Sequence, residues 1–207
     1  MESNSFNRQP TNPEEATRLL YKNWREGFAL PLLLGVLVFG AIVLIPAIIA
    51  SNSIVVDAIF ITAYVITGLV TVVRFSYSIR MNVFVFSIFM LGIGELITHG
   101  VLGDSLIFFF ALIVFSTILI SPRAGIWATA INILTFAIFA YLFLNNQIST
   151  LNKQASPAIL EDWFNAIGTV VLFGMVVILG FQRLEKEFVE ARSQIDATLP
   201  TLKEERS

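Results

Sequence analysis

Long uninterrupted apolar runs constrain this chain of 207 residues more than any other feature. Six can be read: Phe28 to Ala50, Ile54 to Val73, Met81 to Thr98, Val101 to Ile120, Ala124 to Leu144 and Ile159 to Phe181. Each is about 18 to 23 residues, long enough to cross a hydrocarbon core of about 30 Å at about 1.5 Å per residue. Backbone groups in lipid must be satisfied within the segment, and continuous apolar runs select helices over a β-barrel, whose strands alternate. Threading the runs with both termini in the cytoplasm places twelve of the thirteen Lys and Arg residues inside: Arg8, Arg18, Lys22, Arg25, Arg74, Arg80, Arg123, Arg183, Lys186, Arg192, Lys203 and Arg206. Lys153 alone falls outside. Basic short loops stay in the cytoplasm, so this asymmetry supports both the count and the orientation.

Composition agrees. With 56% hydrophobic and 14% charged residues and a mean hydropathy of +0.79, the chain cannot hide its apolar surface as a soluble globule. The expected fold is an all-α integral membrane protein with six transmembrane helices, both termini cytoplasmic, and the sixth helix extended into a cytoplasmic coiled coil. The expected division is a cytoplasmic arm over residues 1–27, the bundle over 28–181 and a signalling helix over 182–207. The first run comes after a 27-residue charged arm and lacks a small-residue cleavage signature, so it reads as a retained helix. Cysteine is absent, which excludes disulfides and thiolate chemistry.

In the arm, Asn12-Pro13-Glu14-Glu15 reads as an N-cap with Pro at the first helical position and a Glu that returns a hydrogen bond. The residues after this cap suit a short amphipathic helix on the inner membrane face, with Leu19, Leu20 and Trp24 toward apolar material. Its alternative is a solvated arm that merely carries charge. Connections between spans are short, so successive helices are antiparallel neighbours. Asn145 to Ala158 is the longest, polar and outside, and too small for a folded domain. Trp24 and Trp127 at the inner interface and Trp163 at the outer one read as aromatic belts. After the sixth run the residues Phe181, Leu184, Phe188, Ala191, Ile195, Thr198 and Leu202 alternate spacings of three and four, a heptad seam that predicts a parallel homodimer. Pro200 is expected to kink or end that helix near Leu199.

Acidic residues in or beside the spans are Asp57, Glu95, Asp104, Glu161 and Asp162, all in the outer half. Each is costly near the bilayer centre. His99, the sole histidine, stands one turn after Glu95, and Asp104 comes after the Gly100 and Gly103 corner. Glu95, His99 and Asp104, with Asp57 approaching, could gather at the outer mouth to sense a proton, a divalent cation or a cationic ligand. The structural alternative is that Glu95 and His99 satisfy each other and Asp104 caps the fourth helix. One histidine with scattered carboxylates lacks metal-site spacing, so no metal or cofactor is expected. Asp57, Thr62, Tyr64, Thr67 and Thr71 form a polar stripe on the second span, and Asn132, Thr135, Asn165 and Thr169 add polarity to the fifth and sixth, read as interhelical hydrogen bonding. Gly125, Ala124, Ala128, Gly168, Gly174 and Gly180 suit close helix approach, and Phe108-Phe109-Phe110 suits packing or lipid. No spanning segment contains Lys, the cytoplasmic parts contain no His and no phosphate loop, and no GxSxG, HExxH or CxxC motif occurs. The chain is therefore not expected to be an enzyme, and no nucleic-acid footprint is present.

Two stretches carry a family likeness. Phe108 to Phe143, with Ser121-Pro122-Arg123-Ala124-Gly125 at its inner turn, resembles the paired helices of the N-terminal membrane region of bacterial or archaeal sensor histidine kinases and related PAS or GAF signalling proteins. Gly180 to Arg192, GFQRLEKEFVEAR, resembles the signalling helix that leaves their last span. The resemblance implies a sensory input module in a prokaryotic plasma membrane, a homodimer through Leu184, Phe188, Ala191 and Ile195, and a kinase or PAS-type output domain in cis or in trans. The family's PAS, dimerisation and ATPase domains have no counterpart here, so no catalytic residue carries over. A second reading is the membrane subunit of a vitamin-type transporter, which resembles six-helix proteins of this length with a similar inner turn. The charged tail argues against it.

Overall fold

The computed structural model describes residues 13–50, 53–73, 75–151 and 158–204. Every regular element among them is helical: α1 (Pro13–Ala50), α2 (Ile54–Val72), α3 (Tyr77–His99), α4 (Ser105–Phe115) continued by a π-helical turn (Ser116–Ile120), α5 (Pro122–Leu144) and α6 (Leu160–Glu204). Four of these helices, α2, α3, α5 and α6, are long and apolar enough to cross a membrane, while Gly27–Ile42 and Ser105–Ile120 are shorter apolar stretches. The chain folds as an apolar helical bundle whose outward faces stay apolar: Val65, Leu69, Leu134, Leu172, Val176 and Leu179 are all exposed. Arg74 and Lys153, two of the residues that set the expected orientation, and the loop Ser51–Asn52 lie outside the described residues.

Helix boundaries obey local chemistry. Ser121, extended at φ −174, accepts a hydrogen bond from Ala124 N at 3.1 Å, and Pro122 takes the first helical position of α5, where its missing N–H costs nothing. α3 ends at Gly100, whose φ of +74 is the left-handed conformation that glycine adopts freely. α1 differs from the expected separate arm helix, because it runs unbroken from Pro13 through Gly27 to Ala50. Residues 1–12 lie outside the described residues. α6 likewise continues through Pro200 to Glu204 instead of ending near Leu199. The proline removes a single ladder bond, and so close to the helix end little depends on it.

The core sits between α3, α4, α5 and α6. Phe109 is wholly buried and packs edge-on against Phe136 at 4.8 Å and Phe89 at 6.2 Å between centroids. α3 approaches because Gly92 presents no side chain: a Cβ there would lie 3.2 Å from the Phe109 ring. Phe110 stacks on Phe173 of α6 at 4.4 Å, so the triple-Phe run is packing material. Trp163 corrects the belt assignment. It is 1% exposed, stacked on Phe143 at 5.7 Å and edge-on to Phe136 at 6.3 Å. Trp127, at 71% exposure, faces outward as a belt residue does. The threonine stripe is also corrected: Thr67, Thr71, Thr135 and Thr169 each donate to the carbonyl one turn back in their own helix. Among the described residues, two of the predicted side chains bond between helices, Tyr64 to Leu37 O at 3.0 Å and Asn132 to Phe109 O at 2.9 Å. A short hydroxyl returns to its own backbone more readily than it reaches a neighbour.

Candidate proton or ligand site

Two regions of the bundle carry groups that packing alone does not explain. The first lies at the far end of the bundle, remote from the extension of α6. Glu95 and His99 occupy successive turns of α3, and His99 Nδ1 stands 2.7 Å from Glu95 Oε1. The approach lacks hydrogen-bond alignment, so its strength depends on charge. A proton on the imidazole makes it an ion pair. The Glu95 side chain is 12% exposed and that of His99 40%, which places the acid under the histidine with the ring open to the surroundings. A carboxylate so enclosed needs a partner.

The corner after α3 closes over this pair. Gly103 N bonds to Gly100 O at 3.3 Å, and a Cβ on Gly103 would lie 2.5 Å from His99 Cβ and 3.2 Å from Glu95 Oε1. Only glycine fits against the pair at that distance. The chain after α5 crosses the same end, with Leu151 N bonding to Ile97 O at 3.1 Å. Asp104 takes the N-cap position of α4 but is exposed and makes no side-chain cap bond. Asp57 is half-buried in the first turn of α2. Asp162 accepts from Ile159 N at 2.9 Å, closing the start of α6. Among the described residues no three acidic or histidine side chains gather as a metal-holding group. Glu95 thus meets His99, and among the described residues neither Asp57 nor Asp104 makes an ion pair with His99.

Three buried polar atoms stand out beyond this pair, and nothing in the amino-acid pattern signals their burial. Ser105 Oγ, Trp163 Nε1 and Asn132 Oδ1 are buried without a hydrogen-bond partner among the described residues. Ser105 lies one turn before Phe109 on α4, and Trp163 reaches the same aromatic core through Phe136. Nothing in a sequence separates a buried serine or tryptophan from an exposed one.

The second region is the extension of α6. Leu184, Phe188 and Ile195 are 61%, 59% and 58% exposed, and Ala191 is exposed beside them. Arg183 bonds Glu187 at 2.8 Å, and Lys186 approaches Glu190 at 4.0 Å, i to i+4 pairs that support a helix outside the bundle. The apolar stripe has a definite phase. About eighteen residues make five α-helical turns, and stepping back by that interval takes Leu184 to Ala166, Phe188 to Val170, Ala191 to Phe173 and Ile195 to Val177. All four are buried or half-buried in the bundle. The outward positions Asn165, Gly168, Thr169 and Leu172 map onto Arg183, Lys186, Glu187 and Glu190. α6 therefore keeps its core-facing side apolar along its length, and its outward side changes from lipid-compatible to charged at the edge of the bundle.

A family model for MASE11 matches residues 23–186, well over half of the chain. The chain belongs to the MASE11 family. MASE domains are membrane-associated sensory domains, and the match spans the Glu95–His99 pair, the whole core and the first turn of the α6 extension. No curated protein and no solved structure matches this MASE11 chain.

Proposed function

We propose that this MASE11 chain is the sensory input module of a signal-transduction protein. In this reading six helices span the plasma membrane, both termini are cytoplasmic, the far end of the bundle faces outward, and α6 carries the response to a cytoplasmic output domain. The observation that carries it is the continuity of α6, one helix from Leu160 to Glu204 whose core-facing side stays apolar beyond the bundle. Two copies pairing in parallel along Leu184, Phe188, Ala191 and Ile195 would cover that stripe. In such a pair Glu187 of one copy takes the g position opposite Arg192 of the other at e, an attractive register. An output domain served by this helix acts as a pair, which suits the kinase or PAS-type output that the sequence resemblance implies, in cis or in trans. A vitamin-type transporter subunit has no use for such an extension.

The stimulus enters, in this reading, at Glu95 and His99, where protonation or a cationic ligand alters the contact under the Gly100–Asp104 corner. Gly103 lets that corner sit on the pair, and in this reading a change there reaches α4, which starts at Ser105.

Topology is tested first. The chain lacks cysteine, so Asn146→Cys and Gln182→Cys can be treated separately with a membrane-impermeant maleimide on intact cells. Labelling of Asn146→Cys alone is expected; labelling of Gln182→Cys alone would invert the orientation and sink the proposal. For the dimer, Phe188→Cys and Ile195→Cys are expected to cross-link between copies in membranes, and failure at both removes it. For the input, the pH dependence of thermal unfolding is expected to flatten in Glu95→Gln, because a neutral amide gains nothing from a protonated His99. Superimposable wild-type and variant profiles would discard this pair as the sensor.

A further inference from the structure

Ser116–Ile120 continues α4 as a π-helical turn, closed by a bond from Ser121 N to Ser116 O, five residues back, at 3.0 Å. Such a turn holds one residue more than an α-helix would; it is rare, and is frequently found at functional sites. Here it is enclosed, with Ser116, Thr117 and Leu119 all at or below 2% exposure.

Its neighbours belong to three other helices. Tyr77, the first residue of α3, donates its hydroxyl to Leu119 O at 2.7 Å, satisfying a terminal carbonyl that has no helical donor. Thr117 donates to Ile113 O at 2.7 Å and lies so close to Gly125 of α5 that a Cβ there would collide with its hydroxyl. That same Cβ position is 3.2 Å from Ile178 Cγ1 of α6, and further along α6 the Cβ position of Gly174 is 2.7 Å from Thr129 Oγ1. The π turn, the start of α5 and the middle of α6 therefore form one tight contact. α6 has no room there to rotate about its own axis, because each of its close approaches depends on a glycine being in place.

A π turn and an α turn differ by one residue of register, so an α form of this segment would be a discrete alternative and not a small deformation of the one seen. Passing to the α form transfers Ser121 N from Ser116 O to Thr117 O and withdraws Leu119 O from Tyr77. The residues beyond shift by one helical step, about 1.5 Å along the axis and about 100° around it. α4 begins at the Gly100–Asp104 corner that rests on Glu95 and His99, and ends in this turn. One helix thus links the far-end pair to the element that holds α6.

We propose that Ser116–Ile120 is a register switch, in which interconversion of the π turn with an α turn moves α6 as a tilt or slide pivoting at the Gly125–Ile178 contact. The switch rests on the reading of this chain as an input module and supplies the two-state element that such a module requires.

Two spin labels test it, at Val72→Cys near the end of α2 and Lys186→Cys on the outward side of the α6 extension, both exposed, with the protein in lipid nanodiscs. Tyr77→Phe keeps the ring and removes the hydroxyl that stabilises the π turn; deletion of Ile118 removes the extra residue outright. Both are expected to shift the mean inter-label distance in the same direction, by at least about 2 Å. An unchanged distance in Tyr77→Phe overturns the switch even if the deletion fails to fold. A shift caused by Glu95→Gln with none from Tyr77→Phe overturns the switch and leaves the input reading standing. A shift from Tyr77→Phe with none from Glu95→Gln keeps the switch and removes the far-end pair as its input.

Discussion

Phe109→Ala is expected to be the most damaging single truncation in the bundle, lowering stability by about 3 kcal/mol, the lower end of the range for buried Phe to Ala changes. Phe109 is wholly buried, contacts Phe89 and Phe136, and sits against Gly92. In a membrane the transfer of apolar surface out of water contributes little to helix association, because lipid tails are as apolar as the core. What is lost is van der Waals contact and the filled volume, since rigid neighbours on the surrounding helices cannot collapse into the gap. Phe109→Leu, which keeps most of the volume, is expected to recover more than half of the loss. Unfolding in mixed micelles, followed by Trp fluorescence, measures both, and Trp163 reports the same aromatic cluster through Phe136. Equal stability of Phe109→Ala and wild type would contradict the packing described.

Gly125→Ala is the second large effect, and it acts by overpacking. The added methyl meets the Thr117 hydroxyl and lies 3.1 Å from Thr117 Cβ and 3.2 Å from Ile178 Cγ1, with two helices to displace. Overpacking of this kind costs about 1–3 kcal/mol. Thr117→Ala alone removes a hydroxyl already bonded within its own helix and is expected to cost less. The double variant is expected to be more stable than Gly125→Ala, because the colliding oxygen is gone, and a double-mutant cycle isolates that coupling. Additive losses would mean that the two residues do not meet as described. Gly168→Ala and Gly180→Ala supply the contrast: among the described residues no atom beyond the adjoining α6 backbone lies within 4 Å of either Cβ position, so both are expected to be near-neutral in the isolated protomer.

These contrasts show what the sequence carried and what it withheld. The apolar runs made the helices legible, and the step of seven from Phe181 to Phe188 and Ile195 marked a stripe on α6. That the stripe continues the core face needed the burial of Ala166 and Val170. Trp163 misled because an aromatic near a span end looks the same whether it faces lipid or stacks on Phe143. The hydroxyl stripe misled for a related reason, since threonine in a helix satisfies itself one turn back and needs no neighbour. The π turn had no signature at all, because one surplus residue in an apolar run alters no composition and no period that a short window can detect. At the site, Glu95 and His99 were legible from their spacing. Gly103 became functional in appearance only when its missing Cβ was found against both of them.

In the proposed mechanism a change at Glu95 and His99 reaches the other side of the membrane through α6. Hydrogen exchange of the α6 amides from Gln182 to Leu199, measured in nanodiscs at about pH 5.5 and about pH 8, on either side of the usual imidazole range, is the decisive measurement. Intrinsic exchange rates are corrected for pH, and wild type is compared with Glu95→Gln. Protection of this segment is expected to differ between the two pH values in wild type and to be the same in the variant. Equal corrected protection at both pH values in wild type, or a difference that persists unchanged in Glu95→Gln, would contradict it.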